Sequence, residues 1–284
     1  MPIVSIIGAG PIGASIAHRL AERDRVGPIA LIDSSGSVAA GKALDIVQSG
    51  PITSFDTRIS TADDELAAVS SPIIVIADDS AEGPWDGERG LALVSRLARA
   101  GTQAALVFAA PSQTWLMEKA YGELRLPADR LIGTAASAIP AAVRALAGLE
   151  IDAASVEATV VGRPPALVIG WSAATADGVL LTDRVPAHRL LAISQALPRI
   201  WPPAPYAIAS ATAPVVEALA SGARRLLPAL TVVDGDLGAR GRAVLLPLDL
   251  GEWRVRRHVV PTLSTQERTE LEGSLASRPA GEAT

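Results

Sequence analysis

The stretch Gly8-Ala9-Gly10-Pro11-Ile12-Gly13 constrains this chain more than any other feature, because it joins a strand pattern, Ile3 to Ile7, to a helical one. In the helical part Ile12, Ile16 and Leu20 recur every four residues, which places them on one face. A strand that turns into a helix over three glycines has few architectures open to it. The first glycine permits the tight turn, the second lets backbone approach an anion, and the third lets helix and strand pack closely. The unpaired amides at the helix start favour negative charge. Pro11 removes one amide donor, a loss tolerated in a first helical turn.

Short apolar runs alternate with helical patterns through the first half. Ile29 to Ile32, Ile73 to Ala77, Ala105 to Ala109 and Leu131 to Ile132 read as further strands, and Leu93, Val94 and Leu97 mark one face of a helix near residues 88 to 100. Apolar strands linked by helices form a parallel sheet covered on both faces. Asp33 ends the second strand, twenty residues after Gly13. A carboxylate there accepts hydrogen bonds from ribose hydroxyls and repels a 2′-phosphate, so the pattern predicts a dinucleotide site that prefers NAD to NADP. The expected contact set is Gly8, Gly10, Pro11, Ile12, Gly13, Asp33 and Ala77. The alternative is that the glycines serve packing alone and Asp33 is a solvated turn residue.

Near Ile139 the pattern changes. Val156 to Val161 and Ala166 to Trp171 read as strands, and residues 187 to 197 and 207 to 221 as helices. Asp234-Gly235 and Leu250-Gly251 read as turns of an antiparallel meander. Ser264 and Glu267 have capping-box spacing and open a last helix carrying Leu271 and Leu275, with a frayed tail from Pro279. The expectation is a Rossmann-type doubly wound parallel sheet over residues 1–138, then an α+β domain over 139–284 that shares a tight interface with it.

Acidic residues outnumber basic ones, 30 to 25, and no basic run interrupts the chain, which excludes the electrostatic footprint of a nucleic-acid binder. Without cysteine there are no disulfides, thiolate chemistry or cysteine metal sites. His18, His188 and His258 lack the spacing of a metal site and are expected in surface or packing roles. From Pro2 the chain enters a strand pattern directly, and no apolar run approaches the roughly 18 residues of a membrane span. A cytoplasmic location without membrane partners is therefore expected.

These landmarks resemble the NAD-dependent lactate/malate dehydrogenase family, most closely its malate dehydrogenase branch. The resemblance covers nearly the whole chain: the glycine motif, Gly41-Lys42-Ala43-Leu44-Asp45, Trp171-Ser172-Ala173-Ala174, Tyr206 to Glu217 and Val232 to Gly238 all fall at family-like spacing. It implies a second domain of that family's type and a homo-oligomer. It also implies a reaction in which a histidine, held by an aspartate, exchanges a proton with a substrate hydroxyl while hydride passes to or from nicotinamide and arginines clamp a carboxylate.

Carried over position by position, those groups are missing. Pro164, within Gly162-Arg163-Pro164-Pro165-Ala166, stands at the histidine; Ile139 stands at or next to the aspartate, with Ala142 at the arginine beyond it. Ala81 and Gly87 align with the mobile-loop arginines, Arg89 lying two places off, and Ala110-Pro111 replaces an asparagine-proline pair. Proline and isoleucine carry no proton, and a general acid-base group contributes about a hundredfold to ten-thousandfold. The sequence thus predicts no catalytic residues of the ordinary kind and no metal ligands. Its leading reading is an NAD-binding sensor, scaffold or partner subunit; the alternative is an active NAD-dependent oxidoreductase on another carbonyl or alcohol, with Asp78, Asp79, Glu82 or Arg163 in a rebuilt pocket.

Asp78 and Asp79 follow a strand where the family has a glycine near the cofactor. A carboxylate about 6 Å from a pyrophosphate at an effective dielectric near 20 meets roughly 3 kcal/mol of repulsion. Asp78 must then turn away, stay protonated or weaken NAD; the bland expectation is that both acids cap the next turn. Glu82 to Glu88 has a lid-like composition in which Trp85 either covers a pocket or packs on the second domain. Arg163 either binds an anion or pairs with a nearby acid.

Overall fold

The computed structural model describes residues 3–148, 151–222 and 226–276. Six strands, β1 (Val4–Ile7), β2 (Ile29–Ile32), β3 (Ile59–Ala62), β4 (Ile73–Ile76), β5 (Ala105–Phe108) and β6 (Leu131–Gly133), pair in parallel in the order β3-β2-β1-β4-β5-β6. Each residue of β1, β2, β4 and β5 is buried, as expected for strands covered on both faces. Ile6, Leu31, Val75 and Val107 belong to one core with Ile16 and Leu20 of α1 (Pro11–Arg23) and Ala39 and Ile46 of α2 (Gly36–Thr53). Ile7, Ile32, Ile76 and Phe108 point to the other face, against Leu93 and Leu97 of α3 (Gly87–Arg99) and Leu116 of α4 (Thr114–Gly122). β3 was not among the expected strands: it lies at the sheet edge, half exposed, and its only large apolar side chain is Ile59.

Beyond α5 (Ile139–Ala147) the chain returns to the same sheet. It adds β7 (Val160–Arg163) and β8 (Ala166–Ile169), then α6 (Leu181–Arg184), α7 (Ala187–Ala196) and α8 (Pro205–Ser221), and finally β9 (Leu227–Asp234), β10 (Arg240–Gly251), β11 (Arg254–His258) and α9 (Thr265–Ala276). β9 lies antiparallel on β6, with Leu230 opposite Gly133 and Thr231 opposite Ile132, and β10, β7 and β8 follow outward. Helix α8 packs across α1, and Glu217 on α8 receives hydrogen bonds from Arg23. The doubly wound parallel sheet and the following α+β part are thus joined through one sheet.

Three boundaries differ from expectation. The stretch 156 to 161 is broken: Val156–Glu157 pairs with Thr175–Ala176 in a separate small sheet, and β7 begins at Val160. The second strand of that hairpin ends at Ile169, before Trp171. Gly251 remains in β10 instead of turning, and the chain reverses one residue later at Glu252 and Trp253, both at positive φ. The turn at Asp234-Gly235 is present, with Gly235 at φ 101°. Ser264 and Glu267 form the reciprocal capping box at the start of α9, and Leu271 and Leu275 are buried. The tail from Pro279, like Pro2, lies outside the described residues.

Candidate functional site at the start of the first helix

β1 delivers the chain to Gly8, whose φ of +108° and whose would-be Cβ, 2.2 Å from the Asp78 carbonyl oxygen, leave no room for a side chain. Gly13 is as confined: a Cβ there would lie 1.9 Å from the Gly8 carbonyl oxygen. The turn therefore closes tightly and α1 starts at Pro11 with no side-chain cap on its N-terminus. Its first amides need an acceptor from elsewhere. That acceptor is Asp78: one carboxylate oxygen accepts from the Ile12 amide at 3.1 Å and the other from the Gly13 amide at 2.8 Å. Gly10 permits it, since a Cβ there would be 2.6 Å from the Asp78 carboxyl carbon. The close approach that a dinucleotide would use is made here by a side chain of the protein.

Asp33 is also engaged. One oxygen accepts from the amides of Ala9 at 2.7 Å and Ser80 at 2.9 Å, the other from the Ser35 amide at 3.0 Å and the Ser80 hydroxyl at 2.6 Å. It is buried rather than a solvated turn residue. Asp79 accepts from the Ser34 hydroxyl and the amides of Ala81 and Glu82. Of the two acids expected to cap the turn, Asp79 does so and Asp78 does not. Burial lifts the Asp78 carboxyl above the usual range, against the pull of the Ile12 and Gly13 amides and with a further lift from Asp33. Burial acts on Asp79 too, but its hydrogen bonds outweigh it and hold that group below the usual range.

Ala77 is buried against the turn, its Cβ 3.3 Å from where a Gly13 side chain would start. Gln113, which the sequence reading passed over, is fully buried and fixes both ends of the following segment: its amide nitrogen donates to the carbonyls of Ala77 at 3.2 Å and Trp85 at 2.8 Å. The signal for it was faint, a lone glutamine after an apolar strand. Trp85 is buried beneath α3, in the same core as Leu93 and Leu116, with Arg89 over its ring at 4.3 Å. Arg89 in turn holds Glu82. Beside the turn opens a cavity of about 650 Å³ whose lining includes Gly10, Pro11, His18, Lys42, Ser80 and Tyr206.

The groups offered for a rebuilt pocket do not converge. Arg163 is buried in a two-pronged pair with Glu118 of α4, at 3.0 and 3.2 Å, and Glu118 also accepts from Arg242 and the Ala243 amide. Of the two readings of Arg163, pairing with an acid is the one observed. His18 and His188 are exposed, and His258 lies 3.0 Å from Asp236. No cluster of potential metal ligands occurs among the described residues, and none of their helices is long and apolar enough to cross a membrane.

Residues 3–96 match the family model described as lactate/malate dehydrogenase, NAD binding domain. The chain is 28% identical over 291 residues to a malate dehydrogenase of Thermomicrobium roseum, covering 95% of this chain and 94% of the relative. It is 27% identical to that of Roseiflexus castenholzii over 94% of this chain and 93% of the relative. Among solved structures it superposes on the malate dehydrogenase of Salinibacter ruber with a TM-score of 0.84 at 23% identity, covering 95% and 93% of the two chains. The lactate dehydrogenase of Cryptosporidium parvum, complexed with lactic acid and NAD, gives 0.85 at 19% identity with the same coverage, a likeness of fold.

Proposed function

Because the chain belongs to the lactate/malate dehydrogenase family, we propose that it holds NAD at the start of α1 and works as a sensor, scaffold or partner subunit rather than as an ordinary 2-hydroxy-acid dehydrogenase. Residues 1–138 form the cofactor domain and 139–284 the second domain. Gly8, Gly10 and Gly13 give the backbone its close approach, the amides of Ile12 and Gly13 beyond Pro11 meet the pyrophosphate, Asp33 meets the adenine ribose, and Ala77 closes the wall beneath. When bound, NAD supplies a hydride acceptor. The protein itself acts on no substrate carboxylate through the missing arginines, and it assembles as a homo-oligomer in the cytoplasm.

The observation that carries the reading is Pro164. By the resemblance it stands where the family has its histidine, between Arg163, which is committed to Glu118, and Pro165. A proline side chain takes up no proton. By the same resemblance Ile139 lies at or next to the orienting acid and Ala142 at the arginine beyond it, and neither side chain carries a charge. The test is NADH consumption by the purified full-length chain with oxaloacetate and with pyruvate, alongside NADH titration by calorimetry. Binding without turnover is the expected result; brisk reduction of either oxo acid would refute the reading.

A further inference from the structure

The cradle at the start of α1 holds an anion that belongs to the chain itself. Each backbone amide carries one proton, so the Ile12 and Gly13 amides that bond to Asp78 are not free to bond to a phosphate. The neighbouring contact repeats the theme. Ser80, two residues along, gives both its amide and its hydroxyl to Asp33, and with Ala9 and Ser35 it brings that carboxylate to four donors. One short segment thus touches both groups that recognise a dinucleotide: it fills the amide cradle and supplies two of the four hydrogen bonds to the ribose acceptor.

That segment is suspended between fixed points. Gln113 grips the carbonyls of Ala77 and Trp85 from beneath. Between them the chain makes a two-residue antiparallel bridge, Asp78 opposite Pro84 and Asp79 opposite Gly83. The Asp78 carbonyl accepts from the Gly10 amide, and Arg89 donates to the Gly83 and Pro84 carbonyls. Gly83, at φ +77° with nothing near where a side chain would begin, is the least confined point of the segment.

We infer that Asp78-Asp79-Ser80 is a built-in competitor for the dinucleotide: the pyrophosphate enters only as the Asp78 carboxylate leaves the Ile12 and Gly13 amides, and Ser80 competes separately with the ribose for Asp33. The inference rests on the NAD reading and specifies how that site is regulated. A tethered competitor is present at an effective concentration set by its short linkage, on the order of millimolar or above. The wild-type protein is therefore a weak binder whose affinity rises when the segment is drawn away.

Calorimetric titration of the full chain with ADP-ribose and with adenosine tests this. Asp78→Asn keeps the shape and removes the charge; it binds ADP-ribose about tenfold tighter or more than wild type, with adenosine unchanged because adenosine has no pyrophosphate. Ser80→Ala, which leaves the cradle intact and removes one of the four hydrogen bonds to Asp33, carries the same test independently by tightening adenosine. Equal ADP-ribose affinity in wild type and Asp78→Asn overturns the competitor while leaving the NAD site standing. An equal gain for adenosine in Asp78→Asn overturns it as well, since the effect would not follow the phosphates. Absence of ADP-ribose binding in wild type and both folded variants overturns the competitor and the NAD site together.

Discussion

Glu267 accepts from the Ser264 amide at 2.8 Å and from the Ser172 amide and hydroxyl at 2.9 and 2.6 Å. Burial alone would raise its carboxyl, but these bonds prevail and hold it below the usual range. A depressed folded-state value means the contribution is present above the unfolded carboxylate pKa and is lost as pH falls through the folded one. Urea midpoints measured from about pH 5 down to pH 3 should therefore decline less steeply in Glu267→Gln than in wild type; parallel curves would refute this. The Ser264 half of that site was legible, because a capping box spans only four residues, whereas the Ser172 half was not. Glu118 and Arg163 are 45 residues apart, and nothing local in either stretch announces the other. Asp78 is the instructive intermediate: its conflict with a pyrophosphate was evident from position alone, and its resolution, a turn inward onto the amides, was not.

At the scale of elements, strands buried on both faces announce themselves as short apolar runs, and β1, β2, β4 and β5 were legible for that reason. β3 was not, since an edge strand needs no such run, and the end of β10 was misplaced because the reversal falls on Glu252 and Trp253, non-glycine residues at positive φ, instead of on the glycine beside them. The entry into α1 is the most tightly specified element. With 1.9 Å between a Gly13 Cβ and the Gly8 carbonyl oxygen, Gly13→Ala forces α1 away from β1. Overpacking of this kind costs about 1–3 kcal/mol, so thermal unfolding should show a clearly lowered Tm and calorimetry a loss of ADP-ribose binding. An alanine variant that melts and binds like wild type would mean that the turn tolerates what its geometry forbids.

Across the whole molecule, the proposed homo-oligomer has a natural place to form. Leu44, Val47 and Ile52 on α2 and Tyr206 at the start of α8 stand exposed, and Tyr206 shares the cavity lined by Lys42 and Asp45. Sedimentation equilibrium should give a dimer or larger species, and Val47→Glu with Ile52→Glu should shift it toward monomer; a wild-type monomer at micromolar concentration would dismiss the assembly. The family resemblance made the global architecture legible, yet the change of pattern near Ile139 that suggested two domains hid how they are welded. The weld is the β6–β9 ladder. A peptide-bond cut between Ala138 and Ile139 would strip a hydrogen-bonding edge from each piece at once, so either fragment made alone would be adhesive and prone to precipitate. Produced together, the two fragments would recognise each other in a single register, giving the chain the makings of a split reporter.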